Sequence, residues 1–318
     1  MRFWNLLEGV PVDQPDRNRP KSQERKGGES NESPIEHIPV DNCPSLQWSQ
    51  GTWTVEGYSR AAVQTYWRIP ELRVGFDLGN QPWDHMGTPT YFVSHTHMDH
   101  IAALPAYVAR RRMMKMDPPT IYAPAASLSA IDQLLKAFTR LDRGRLPVQL
   151  IGVEPGMEIE LSRELLVTTV AMRHSIPCIG FVLWERRKKL KAEYQGLSGD
   201  QIRDIRLSGV EVSAEMRHPL LAYAGDTTAQ GLDDNPVMYD ADVLITEMTF
   251  LAPSHRKELI HKHGHTHLDD LVQRRSYFRN RTVICGHFST RYTLTQIRRL
   301  VHRALPDMLD GRLKLWLD

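Results

Sequence analysis

Cysteine is scarce: the 318 residues hold three, Cys43, Cys178 and Cys285, odd in number and far apart. No disulfide framework and no cysteine-rich zinc knuckle can be drawn through them, so a reducing, cytoplasmic setting is expected. Long apolar runs are missing too. No stretch of about 18 consecutive apolar residues occurs, and the opening Met1-Arg2-Phe3-Trp4-Asn5-Leu6-Leu7 lacks the apolar centre of a signal peptide. The chain is therefore expected to be soluble, with no membrane partner. Charge of one sign is lacking as well. With 40 lysines and arginines against 38 aspartates and glutamates the formal net charge is +2, so a polyanion would have to be held by local patches and not by a global field. No period of about 20–50 residues marks a solenoid.

The composition that is present, 41% hydrophobic and 25% charged, is that of a globular protein with a sizeable core. Residues 11–44 are the exception, rich in proline, serine, glycine and charge. Such a segment buries too little apolar surface to offset its ordering entropy. A disordered extension over 1–47 and a folded domain over 48–318 are expected. Within the domain, strand-like runs at 73–76, 91–94, 120–122, 148–153, 166–172, 179–184, 220–224, 243–246 and 282–285 alternate with amphipathic stretches at 101–114, 126–141, 268–278 and 294–304. Thr266, with Asp269 three residues on, and Thr293 stand where helix N-caps would. The alternation predicts a layered α/β fold with helices outside sheets, and the strand spacing predicts some antiparallel pairing.

Directly after the run Tyr91-Phe92-Val93-Ser94 comes His95-Thr96-His97-Met98-Asp99-His100. Imidazoles and carboxylates are ligands that zinc takes, and no thiolate lies nearby. In an extended turn His95 and His97 project to one side and can share an ion, while Asp99 and His100, past the bend, can reach a second. More ligands are then needed at other strand ends. His174, Asp226 and His287 each follow such a run. Alone, each could be an ordinary hydrogen-bonded turn residue; together they predict one metal-binding edge of a sheet sandwich.

These residues resemble the metallo-β-lactamase superfamily. The wording Asp99-His100-Ile101-Ala102-Ala103-Leu104-Pro105, Gly225-Asp226-Thr227, Thr246-Glu247-Met248-Thr249-Phe250 and His287-Phe288-Ser289-Thr290-Arg291-Tyr292 is similar to the short, plant-type form of ribonuclease Z (tRNase Z). The resemblance runs from about Gly51 to the end of the chain. It implies an αββα sandwich with a short inserted arm over 185–217, and two zinc ions per subunit. His95, His97 and His174 would hold the first ion, Asp99, His100 and His287 the second, and Asp226 would bridge them. It further implies that Asp99 serves the attacking water and that Glu247 and His265 deliver the leaving-group proton. Composition alone leaves the choice among His261, His263 and His265 open. The same nitrogen and oxygen ligands would also accept manganese or iron. The implied activity is endonucleolytic removal of 3′ trailers from precursor tRNA, by a homodimer, leaving a 3′-hydroxyl on the tRNA. A small-molecule phosphodiesterase or a glyoxalase-type thioester hydrolase on the same fold is the alternative.

Basic residues crowd the implied arm: Arg186, Arg187, Lys188, Lys189 and Lys191. They are candidate phosphate contacts, which position RNA without reading its sequence. Arg110–Arg112 with Lys115, and Arg274, Arg275, Arg279 and Arg281, form two further basic groups. The sequence departs from many tRNase Z members in one loop. No Pro-x-Lys-x-Arg-Asn pattern occurs in 51–73, which leaves discrimination against a mature CCA end without its usual element.

Overall fold

The computed structural model describes residues 43–51, 53–253 and 257–317. Among these, fourteen strands form two seven-stranded sheets. The first holds β1 (Leu46–Gln50), β2 (Trp53–Arg60), β3 (Gln64–Ile69), β4 (Val74–Leu78), β5 (Thr90–Phe92), β6 (Thr120–Pro124) and β7 (Gln149–Val153), side by side in chain order. The second holds β8 (Glu158–Glu160), β9 (Leu165–Met172), β10 (Cys178–Leu190), β11 (Ser213–Tyr223), β12 (Val243–Glu247), β13 (Thr282–Gly286) and β14 (Leu313–Leu315), again in chain order. Each sheet starts antiparallel and turns parallel, at β4–β5 in one and at β11–β12 in the other.

Parallel neighbours need long crossovers, and helices supply most of them. α1 (Met98–Ile101) and α2 (Leu104–Met113) link β5 to β6, and α3 (Leu128–Asp142) links β6 to β7. α4 (Gly199–Leu207) lies between β10 and β11, and α5 (Ala229–Asp233) and α6 (Val237–Asp240) lead from β11 to β12. α7 (Lys257–Lys262) and α8 (Leu268–Gln273) precede β13, and α9 (Leu294–Ala304) leads from β13 to β14. Strands β4, β12 and β13 are buried at every residue, as their mainly apolar sequences suit in strands covered on both faces. Strand β1 alternates half-buried and exposed residues, the pattern of an edge strand with one wet face.

Three apolar layers give the four-layer αββα order that the resemblance implies. Val55, Trp67, Phe76, Phe92, Phe181, Tyr223, Ile245 and Trp316 interdigitate between the sheets. Ile101, Leu104, Tyr107, Val108 and Ile131 seal helices onto the first sheet. Leu244, Val283, Leu271, Ile297 and Val301 do so on the second. Each such large side chain contributes roughly 1.5–3 kcal/mol on burial.

The structure adjusts several expectations. The stretch 101–114 splits into α1 and α2 because Pro105 stands in the first turn of α2, where its missing N–H breaks no helical hydrogen bond. The stretch 268–278 is helical only to Gln273. The N-cap of α8 is His267, not Thr266; the Thr266 hydroxyl instead donates to the Thr227 carbonyl at 2.6 Å. Thr293 does cap α9, in a capping box with Gln296. Strands β1, β2 and β3 form where the sequence pattern predicts none, and β1 already takes in Leu46 and Gln47. Residues 1–42 of the expected extension lie outside the described residues.

Candidate metal centre

The carboxyl ends of β4, β5, β11, β12 and β13 meet at one edge of the sandwich, and the six-residue histidine motif follows β5 there. Around His97 Nδ1 stand His95 Nε2 at 3.1 Å and His174 Nε2 at 3.0 Å. Around His287 Nε2 stand His100 Nε2 at 3.3 Å and Asp99 Oδ2 at 3.4 Å. Asp226 lies between the two groups, with Oδ2 3.8 Å from His95 Nε2 and 3.4 Å from His287 Nε2, and Oδ1 3.5 Å from His100 Nε2. All seven ligand positions predicted from the sequence are therefore brought together.

The other ring nitrogens fix the tautomers of His95, His100, His174 and His287. His174 Nδ1 faces the Gly264 carbonyl at 2.8 Å; a carbonyl only accepts, so Nδ1 carries the proton and Nε2 a lone pair. His100 Nδ1 donates to Asp77 Oδ2 at 2.7 Å. The Ser94 hydroxyl gives its proton to Asp77 Oδ2 at 2.9 Å and so accepts from His95 Nδ1 at 3.0 Å. The Thr249 hydroxyl gives its proton to Glu247 and so accepts from His287 Nδ1 at 3.0 Å. Ring orientation and ligand basicity are set by such outer partners. The Nε2 lone pairs of His100 and His287, turned toward each other at 3.3 Å, repel unless a cation stands between them, and those of His95 and His174 converge on His97 Nδ1. Two donors on one tetrahedral zinc at about 2.0–2.1 Å stand roughly 3.3 Å apart. The donor set therefore fits metal ions.

The electrostatics agree. Burial, reinforced by the neighbouring histidines, holds His95 well below the ordinary histidine range. Burial also disfavours charge on His100, yet Asp226, Asp77 and Asp99 outweigh it and raise that residue to about 9. The pocket thus offers strong negative potential at the second ligand group.

Backbone geometry is part of the site. Asp77 and His287 adopt left-handed φ values of 56° and 58°, uncommon for residues with a Cβ. Gly264 has φ +78°, and a Cβ there would lie 2.5 Å from His174 Cα. Only glycine lets this carbonyl reach His174.

Beside the ligands, the buried Glu247 carboxylate accepts from the backbone N–H of Thr227 at 2.8 Å and of Thr266 at 3.2 Å, as well as from the Thr249 hydroxyl. His265 Nδ1 lies 3.1 Å from the same carboxylate. Burial lowers His265, but Glu247 and Asp226 outweigh it and raise it to about 9. His261 instead pairs with Asp270 at 2.9 Å, so the structure brings His265, and not His261, to Glu247.

A family model described as "Beta-lactamase superfamily domain" matches residues 90–288. "tRNase Z TRZ1" of Arabidopsis thaliana is 37% identical over 262 residues, covering 82% of this chain and 93% of that one. The chain belongs to the tRNase Z family. A second Arabidopsis thaliana relative, "tRNase Z TRZ2, chloroplastic", is 36% identical over 252 residues, 79% of this chain and 71% of that one. The metallo-beta-lactamase fold protein YhfI from Bacillus subtilis superposes with a TM-score of 0.57 over 81% of this chain and 92% of that one, at 13% identity, a likeness of fold.

Three residues of this tRNase Z family site are not singled out by the sequence pattern. Asp77, fully buried, accepts from Ser94 N at 2.7 Å, from the Ser94 and Tyr223 hydroxyls and from His100. Ser94 and Thr249 are the other two, each holding a ligand histidine by its second nitrogen. A signal for Asp77 does exist: an aspartate inside the apolar run Val74-Gly75-Phe76-Asp77-Leu78, where an unpaired charge would be prohibitive.

The predicted RNA-contact residues lie elsewhere. β10 runs away from the metal edge, so Arg186 stands about 26 Å along the strand from Cys178. Arg186 pairs with Glu160 at 2.6 Å, Arg187 with Glu185 at 2.6 Å and Lys188 with Glu211 at 3.5 Å. Lys189 and Lys191 have no ion pair among the described residues. The second basic group is paired throughout: Arg274 with Asp233, Arg275 with Asp307, Arg279 with Asp240 and Arg281 with Asp242. In the first, Arg110 lies over Trp83, Arg111 donates to carbonyls of Met86 and Asp117, and Arg112 pairs with Asp142. Among the described residues, no helix is long and apolar enough to cross a membrane.

Proposed function

We propose that this chain is a two-zinc endoribonuclease that releases 3′ trailers from precursor tRNA. The observation that carries the reading is the Glu247–His265 pair standing 3.1 Å apart beside a seven-residue set of convergent ligand atoms. When bound, zinc ions supply water acidified to near-neutral pH and counter the charge that builds on the phosphate. His95, His97, His174 and Asp226 would hold one ion, and Asp99, His100, His287 and Asp226 the other. Asp99, fixed by the Ala62 N–H at 2.7 Å, orients the attacking water and accepts its proton. His265, kept protonated by Glu247, donates to the departing ribose O3′. The P–O3′ bond breaks, the tRNA keeps a 3′-hydroxyl and the trailer leaves with the phosphate.

Precursor tRNA is the proposed substrate because tRNase Z relatives cover most of the chain. The arm residues Arg186, Arg187, Lys188, Lys189 and Lys191 are proposed phosphate contacts, Lys189 and Lys191 foremost because no carboxylate among the described residues neutralises them. Their distance along β10 from the metal edge favours a homodimer in which one subunit's arm serves the other's site. Buried, unbridged Cys178 and Cys285 accord with a reducing compartment, and the cytoplasm is proposed.

The test offers the purified protein a precursor tRNA, bis-p-nitrophenyl phosphate and a glutathione thioester. Trailer release at the discriminator nucleotide, abolished by chelator and restored by zinc, is expected. Thioester hydrolysis without RNA cleavage would overturn the reading.

A further inference from the structure

Helix α9 leaves the metal edge immediately after the His287 loop and runs back along the second sheet. Its sequence, LTQIRRLVHRA, contains no aspartate or glutamate. Ile297 and Val301 are fully buried and anchor the inner face. Arg298, Arg299, His302 and Arg303 are all exposed, and fall on two i, i+4 rows of the outer face. This sets α9 apart from the two arginine groups described above. Arg299 and Arg303 make no ion pair or hydrogen bond among the described residues, whereas the arginines of the neighbouring α8 region are matched by aspartates.

The stripe connects to the chemistry. Exposed Arg291, just before α9, places its guanidinium 5.8 Å from the ring centre of Phe250. Phe250 in turn lies edge-on to His265, with ring centres 6.0 Å apart. The two loops are stitched together by the Tyr292 hydroxyl, which accepts from Leu251 N at 3.0 Å and Ala252 N at 3.1 Å. A row of cations therefore starts one aromatic ring away from the proposed proton donor His265 and continues along α9 to Arg299 and Arg303, which have no carboxylate partner among the described residues.

We infer that Arg291 and the outer face of α9 form the track that holds the tRNA body, by its phosphates, on the leaving-group side of the scissile bond. The inference rests on the proposed activity, in which His265 is the donor to the O3′ that stays with the tRNA. Its partner is an RNA backbone, whose regular negative charge a helical row of arginines matches without reading bases. It assigns to α9 a role separate from that of the arm on β10 and β11.

The test is the double variant Arg299→Gln/Arg303→Gln in the full chain, with affinity measured by fluorescence anisotropy across a salt series. RNA affinity should fall about tenfold at moderate salt, and the salt slope should drop by about 2. Hydrolysis of bis-p-nitrophenyl phosphate and the melting temperature should be unchanged, since both side chains are exposed. End-matured tRNA should lose affinity by the same factor as the precursor, and an isolated trailer oligonucleotide should lose none. Unchanged affinity and slope, or a loss confined to the trailer, would overturn the assignment. A parent enzyme that fails to cleave precursor tRNA would instead overturn the proposed function, a result visible before any variant is made.

Discussion

The metal edge and the β10–β11 arm are both dense in charge, and they use it in opposite ways. At the edge, every ligand histidine but His97 has its second nitrogen bound to a defined partner, and the remaining lone pairs converge on one another. In the arm, three of the five cations already have carboxylate partners on the surface. Exposed ion pairs contribute little to stability, but they also leave less charge for a phosphate. What matters for a polyanion is charge that no carboxylate has neutralised, and a basic run in sequence does not measure it.

The largest effect expected from breaking this contrast is at the proton donor. His265→Ala should keep its metal content and lose about 100- to 10,000-fold in turnover of precursor tRNA. It should lose far less on bis-p-nitrophenyl phosphate, whose leaving group departs without a proton. Metal loss in this variant, by elemental analysis, would mean that His265 is a ligand. Next comes the hidden anchor. Asp77→Asn removes the carboxylate behind His100, and zinc affinity by competition with a chelator should fall about 10- to 100-fold. Unchanged affinity would show that Asp77 only supports the fold.

A third prediction concerns pH. Glu247 holds His265 at about 9, above its ordinary value. Protonated donor is therefore available below that pH and lost above it. Glu247→Gln removes the charge that raises the group, so the alkaline limb of kcat should move to lower pH, while an unmoved limb would detach Glu247 from the donor. The smallest effect belongs to the arm. Arg187→Ala should change the salt slope of tRNA binding by less than Lys189→Ala does, because Glu185 already neutralises Arg187. A larger change for Arg187 would mean the pair opens to receive RNA.

Much of the site is legible in the sequence because metal chemistry restricts residue type. Three imidazoles and a carboxylate in six residues, followed by His174, Asp226 and His287 at strand ends, leave little room for any role but metal binding. The parallel strands β12 and β13 are equally legible, since burial on both faces favours apolar runs such as Val243-Leu244-Ile245 and Val283-Ile284-Cys285. Strands β1 to β3 are not. Residues such as Gln64-Thr65-Tyr66-Trp67-Arg68-Ile69 mix polar and aromatic side chains, and their strand state is set by pairing with neighbours. Asp77, Ser94 and Thr249 stay hidden because their work is tertiary: Asp77 and Thr249 act through histidines brought in from other elements, and Ser94 matters only because Asp77 takes its proton. The arm's ion pairs stay hidden for the same reason, as Arg186 meets its partner Glu160 across the sheet and not along the chain.

One measurement tests the central claim that His265 protonates the departing O3′. Single-turnover cleavage by His265→Ala is compared on a precursor tRNA with an ordinary scissile linkage and on one whose O3′ is replaced by sulfur, a leaving atom that needs no proton. The account predicts that the variant's deficit largely disappears on the sulfur substrate while chelator still abolishes both reactions. An equal deficit on the two substrates would contradict it.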